Sequence, residues 1–131
     1  MNIKIWGGLY IDKKKKIKYR GKSYLVKVDT YSNNRICINL MNSNEIRELT
    51  INLEDEYLQD GKVFLNPDIT ANGLFKELRK TRIIKEICGV LNYNYTSIPI
   101  ATLNIGILRK YDYIGVSNFL EKVTEANRTN E

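Results

Sequence analysis

Between Tyr24 and Leu53 apolar side chains recur at alternate positions, and this two-residue period admits few folds. Tyr24, Val26 and Val28 fall on one side of an extended chain, with Lys27 and Asp29 on the other. Ile36, Ile38 and Leu40 repeat the pattern within 35–41, and Leu49, Ile51 and Leu53 repeat it within 46–53. Polar turns separate the runs. Asn33-Asn34 reads as a two-residue turn, because asparagine tolerates positive φ, and Asn42-Ser43-Asn44 forms the next. Arg20-Gly21-Lys22 marks an earlier tight turn after a short strand through Ile17 and Tyr19. Short strands at this spacing pair as an antiparallel meander.

The flanking segments add helices. Asn2 to Trp6 is expected as a first strand, broken at Gly7-Gly8, with Trp6 in the core. Glu54 to Gly61 reads as an acidic loop, and Lys62 to Asn66 as a short strand that Pro67 ends. Asn72 can cap a helix from Gly73 to about Thr81, with Leu74, Phe75 and Leu78 on one face. Arg79, Lys80 and Arg82 suit its C-terminal end through the helix dipole. Ile83 to Leu91 fits a helix through Ile83, Ile84, Ile87 and Cys88, while 87–94 fits a strand almost as well. Ile100 to Leu103 is extended, and Ser117 is a good N-cap for a last helix through Phe119, Leu120 and Val123. The expectation is an α+β fold: an antiparallel β-meander sheet of about five strands packed with two or three short helices. A chain of 131 residues suits a single domain, with 1–21 a basic strand and loop segment and 127–131 a frayed polar tail.

Composition narrows the chemistry. There is no histidine, which removes the commonest general base and zinc ligand. Cys37 and Cys88 lie far apart, each in an apolar run, and are expected as reduced core thiols. No segment reads as a secretory signal or membrane span, so a cytoplasmic location is expected. No catalytic set, metal site or cofactor motif emerges, and the chain is expected not to be an enzyme. Pro67-Asp68 with Glu77-Leu78-Arg79 only faintly echoes a nuclease pattern, because arginine replaces a lysine and cannot lose its proton.

Charge is distributed unevenly. The net charge is +6, yet residues 1–35 hold ten cations against Asp12 and Asp29, a net of +8. Residues 45–60 carry a net of −5, and 73–85 a net of +4. Such separation steers association with charged partners and says little about fold. Lys13, Lys14, Lys15, Lys16, Lys18 and Arg20 put six cations in eight residues, enough to hold a phosphate backbone. Tyr19, Tyr24 and Tyr31 lie close enough in sequence to stack bases. The bland reading of the lysines is a solvated hairpin flank that discourages edge pairing. Glu54, Asp55, Glu56 and Asp60 form an alternative, acidic contact face, with a spacing that matches no calcium loop. Tyr93 and Tyr95 are candidate aromatic contacts.

The second half carries Gly61-Lys62-Val63-Phe64-Leu65-Asn66, Asn72-Gly73, Tyr95, Pro99-Ile100-Ala101-Thr102-Leu103-Asn104, Tyr111-Asp112, Gly115-Val116 and Phe119-Leu120. With these motifs the chain, over roughly residues 22–123, resembles a family of small proteins of unknown function encoded on phages and mobile elements of bacteria. The resemblance implies an α+β fold and a mobile-element origin. It offers no catalytic residue. Proteins from that setting often block host defence complexes, so the first expectation is a stoichiometric, anti-CRISPR-like inhibitor that docks on a host protein or nucleoprotein. The alternative is an accessory protein that binds nucleic acid through its lysine-rich N-terminal segment.

Overall fold

A separate two-stranded ribbon opens the chain: β1 (Ile3–Trp6) pairs antiparallel with β2 (Leu9–Asp12), Trp6 opposite Leu9. The computed structural model describes the backbone over residues 3–6, 9–12, 15–71 and 73–129, with side chains over 15–69 and 73–128. The expected break at Gly7-Gly8 and the expected burial of Trp6 lie outside the described residues.

The alternating runs become a four-stranded antiparallel sheet in the order β3-β4-β5-β6: β3 (Lys16–Tyr19), β4 (Lys22–Thr30), β5 (Ile36–Met41) and β6 (Ile46–Glu48). Register sets like against like. Ile17 faces Tyr24, Val26 faces Leu40 and Val28 faces Ile38, all buried. Arg20 and Gly21 both take positive φ, the geometry of a hairpin turn whose twist matches the strands. The turn expected at Asn33-Asn34 is longer. It spans residues 31–35, closed by Tyr31 N–H to the Arg35 carbonyl (2.8 Å), because Asn34 alone enters the left-handed region.

The run expected as one strand over 46–53 divides at Leu49. Its N–H donates to Ile38 in the first sheet (3.0 Å), while its carbonyl accepts from Asn66 beside the second (2.9 Å). β7 (Thr50–Ile51) then pairs with β8 (Lys62–Leu65), the start of a second sheet. Pro67 ends β8 as expected and opens α1 (Pro67–Ala71), a position where its missing N–H costs nothing. Next come α2 (Leu74–Thr81), β9 (Ile84–Tyr93), β10 (Thr96–Leu103), α3 (Ile105–Tyr111) and α4 (Tyr113–Thr129). The second sheet runs β7-β8-β10-β9.

The expected α+β class is present, its antiparallel strands shared between two sheets that meet at Leu49. α2 touches both β3 and β9, the end strands of the two sheets, and sinks Leu74 and Leu78 into the core. The helix expected over 73–81 is therefore found, with Gly73 at its cap position in the left-handed region; Asn72, the expected cap, lies outside the described residues. The ambiguous 83–91 segment is strand from Ile84 onward, since pairing with β10 satisfies the backbone groups along its inner side.

α3 and α4 differ from expectation. Asn104 caps α3, accepting from Ile107 N–H (3.1 Å). Only Asp112 separates it from α4, so the last helix starts at Tyr113, four residues before the expected cap Ser117. Asp112 is 1% exposed; one carboxylate oxygen accepts from Gly115 N–H (3.2 Å) and the other from Val28 N–H (2.8 Å) in β4. It caps a helix and a sheet edge at once, which Ser117 cannot reach. Residues 127–129, expected as tail, continue α4.

Candidate nucleic-acid interface

β3 exposes Lys16 and Lys18 and buries Ile17 and Tyr19, as a two-residue period requires. Arg20 follows in the turn, its guanidinium 5.2 Å from the centre of the Tyr19 ring. Lys15 precedes β3 and holds its ammonium 5.8 Å from the Tyr111 ring on α3. Arg109 and Lys110 are exposed on the last turn of that helix. On another flank α2 runs beside β3 and exposes Lys76, Arg79 and Lys80, with Arg82 at its C-cap. Lys80 is partly committed to Glu77 at 3.2 Å.

The cations of 15–20 and of α2 thus become neighbours, and Tyr111 of α3, a helix packed on β4, lies under Lys15 just before β3. Residues 13–20 and 73–85 are legible in the sequence as separate charge runs, whereas α3 is not among the expected helices. The missed signal was Asn104 followed by apolar residues and then Arg109-Lys110, a cap and a basic last turn. Lys13 and Lys14 lie outside the described residues.

Neighbouring cations are occupied elsewhere. Glu45 pairs with Lys22 and Arg47, each at 3.5 Å, and accepts a hydrogen bond from the Tyr24 hydroxyl. That hydroxyl, with the two cations, holds the Glu45 carboxyl below the ordinary range.

The tyrosines do not form a stacking platform here. Tyr24 is fully buried, Tyr19 is 7% exposed beneath Arg20 and Arg47, and Tyr31 bonds to Thr50 through its hydroxyl. Their alternation with polar residues put them on the core face. Tyr93 and Tyr95 sit together at the far end of the β9–β10 hairpin, Tyr93 half-buried and Tyr95 fully exposed in the turn instead of on a strand.

The acidic loop is present, with Glu54, Asp55 and Asp60 exposed and Glu56 half-buried. Arg35 anchors its backbone through the Leu53 and Glu56 carbonyls, so the carboxylates are left facing outward. Among the described residues no three histidine, cysteine, aspartate or glutamate side chains gather closely enough to hold a metal ion. Asp68 and Glu77, the echo of a nuclease pattern, sit on separate helices, and Glu77 is paired with Lys80. Cys37 is half-buried, and burial raises its thiol pKa. Cys88, expected in the core, is exposed: it falls at a break in the β9–β10 register on an end strand, and its thiol donates to the Ile100 carbonyl (3.4 Å).

A cavity of about 450 Å³ opens beneath the C-terminal half of α4, walled by Ile36, Leu58, Leu103, Phe119 and Val123. No described helix is long and apolar enough to cross a membrane. Comparison with protein families, curated proteins and solved structures found nothing that this chain matches.

Proposed function

We propose that this is a non-enzymatic binding protein whose basic surface grips the phosphate backbone of nucleic acid, free or displayed by a host nucleoprotein complex. The observation that carries the reading is the packing of α2, with exposed Lys76, Arg79 and Lys80, beside β3 and its run of Lys15, Lys16, Lys18 and Arg20; Arg109 and Lys110 extend the charge from α3, whose Tyr111 lies under Lys15. Two acids beside this group are already paired: Glu77 with Lys80, and Glu45 with Lys22 and Arg47, whose guanidinium lies over the Tyr19 ring. Exposed, flexible ammonium groups suit phosphate and carry no base code. With Tyr19 and Tyr24 buried, recognition at this surface is electrostatic and sequence-tolerant, so a duplex serves as well as a single strand. In a mobile-element setting, such a surface lets a small protein occupy the nucleic acid of a host defence complex and so inhibit it by occupancy.

Salt dependence tests this. With about four to six phosphates engaged, log affinity for duplex DNA falls against log salt with a slope near −4 to −5. Lys16→Ala with Lys18→Ala, and separately Lys76→Ala with Arg79→Ala, each flatten the slope by about 1 to 2 if the two segments act as one surface. Absence of binding in fluorescence anisotropy at low salt, or a slope that neither pair moves, refutes the reading.

A further inference from the structure

Twenty-two consecutive residues, Ile87 to Leu108, carry no charged side chain, in a chain that is 27% charged. They supply most of β9 and all of β10. β9 is the end strand of its sheet, so alternate backbone groups along its outer side have no partner strand among the described residues. Proteins guard such edges with charge, proline or bulges. The base of β9 has these guards: Lys85, Glu86 and two breaks in register against β10. The outer half, Gly89 to Tyr93, has none, and its pairing with β10 is regular.

The hairpin tip carries a second sign. Asn94 and Tyr95 both take positive φ, the two central positions of the turn. Glycine is favoured at the second position. A tyrosine held in the left-handed region is strained by its Cβ, and the Tyr95 side chain is fully exposed, so burial within the chain does not offset that strain. Val90, next to the tip, is 59% exposed.

We propose that the outer half of β9 pairs antiparallel with the same segment of a second copy, joining two sheets edge to edge about a two-fold axis. Electrostatics selects a second copy. Two molecules of net charge +6 repel, and a two-fold contact sets each patch against itself, so it must be made through a neutral surface. Val90 lies five residues beyond Lys85, about 17 Å at about 3.3 Å per strand residue. This exceeds the screening length of about 8 Å at physiological salt. A partner drawn by charge needs a charged rim, which this segment lacks, whereas a copy of the segment supplies the missing backbone groups and matching apolar side chains. The backbone parity is fixed. Val90 stands opposite Pro99, which has no N–H, and counting from the two-residue turn also makes theirs a pair that exchanges no backbone bonds. The Val90 N–H and carbonyl therefore face outward.

Sedimentation velocity over a concentration series is the test. The chain is expected to shift with concentration towards twice its 15.3 kDa mass. Val90→Lys sets two cations across the axis, and Val90→Pro deletes the outward N–H while leaving the ladder to β10 intact; each weakens the dimer at least tenfold with circular dichroism unchanged. A spin label on Cys88, in a Cys37→Ala background, gives an inter-chain distance in the dimer that Val90→Lys abolishes. A monomer throughout, up to about 100 µM, overturns the proposal. So does a dimer that neither Val90 variant weakens, or one in which Cys88 labels show no inter-chain distance. These outcomes leave the salt-dependence test of the basic surface untouched.

Discussion

Gly115 is held by its surroundings more tightly than any other glycine of the described chain. A Cβ there meets the Val28 carbonyl at 2.5 Å and runs into the Asp112 carboxylate. The close approach lets Asp112 bond Gly115 N–H and Val28 N–H together. Gly115→Ala is expected to lower stability by about 3 kcal/mol or more, as overpacking against backbone does. Asp112→Ala is expected to cost about 1–3 kcal/mol, by stranding a buried N–H in β4. Urea unfolding measures both. The sequence displayed Asp112 and Gly115 three residues apart, a legible cap, but Ser117 competed for the role. Only the position of β4 beside the helix start settles which residue serves, and Ser117 ends inside α4 with its buried hydroxyl unpartnered among the described residues.

At the scale of elements, α2 matters beyond its eight residues. It touches the end strand of each sheet, and its buried Leu74 and Leu78 are what hold it there. Leu78→Ala is expected to cost about 2–5 kcal/mol, the range for a leucine with no exposure. Because the same helix brings Lys76 and Arg79 beside β3, the variant should also weaken duplex binding at low salt, even though no cation is removed. A variant that is destabilised yet binds unchanged would show that α2 takes no part in the interface. β4 and β5 were legible, since their alternation survives burial on one face. β9 was not: Ile83, Ile84, Ile87 and Cys88 satisfy a helical period as well as a strand, and pairing with β10 decides between them.

Across the whole molecule the two sheets are fastened where Thr50 Oγ1 accepts from Ile38 N–H (3.0 Å) and meets the Tyr31 hydroxyl (2.9 Å). Burial pushes the Tyr31 phenol up to about 12 from an ordinary value of 10.0. A raised acid binds its proton more tightly folded than unfolded, so its contribution to stability is intact below pH 10 and fades as pH climbs towards 12. Thermal melts across that window should fall, and Tyr31→Phe should flatten the fall while lowering stability at neutral pH. An unchanged alkaline profile in that variant would assign the loss to other groups. By itself the sequence determined the strands at 24–30 and 36–41, the helix over 74–81 and the imbalance of charge, because backbone period and formal charge are local properties. The division of 46–53 between two sheets, the exposure of Cys88 and the packing of α2's cations beside β3 were decided only in three dimensions. Each depends on which distant strand or helix lies alongside, and a two-residue or helical period specifies a face without naming what will cover it.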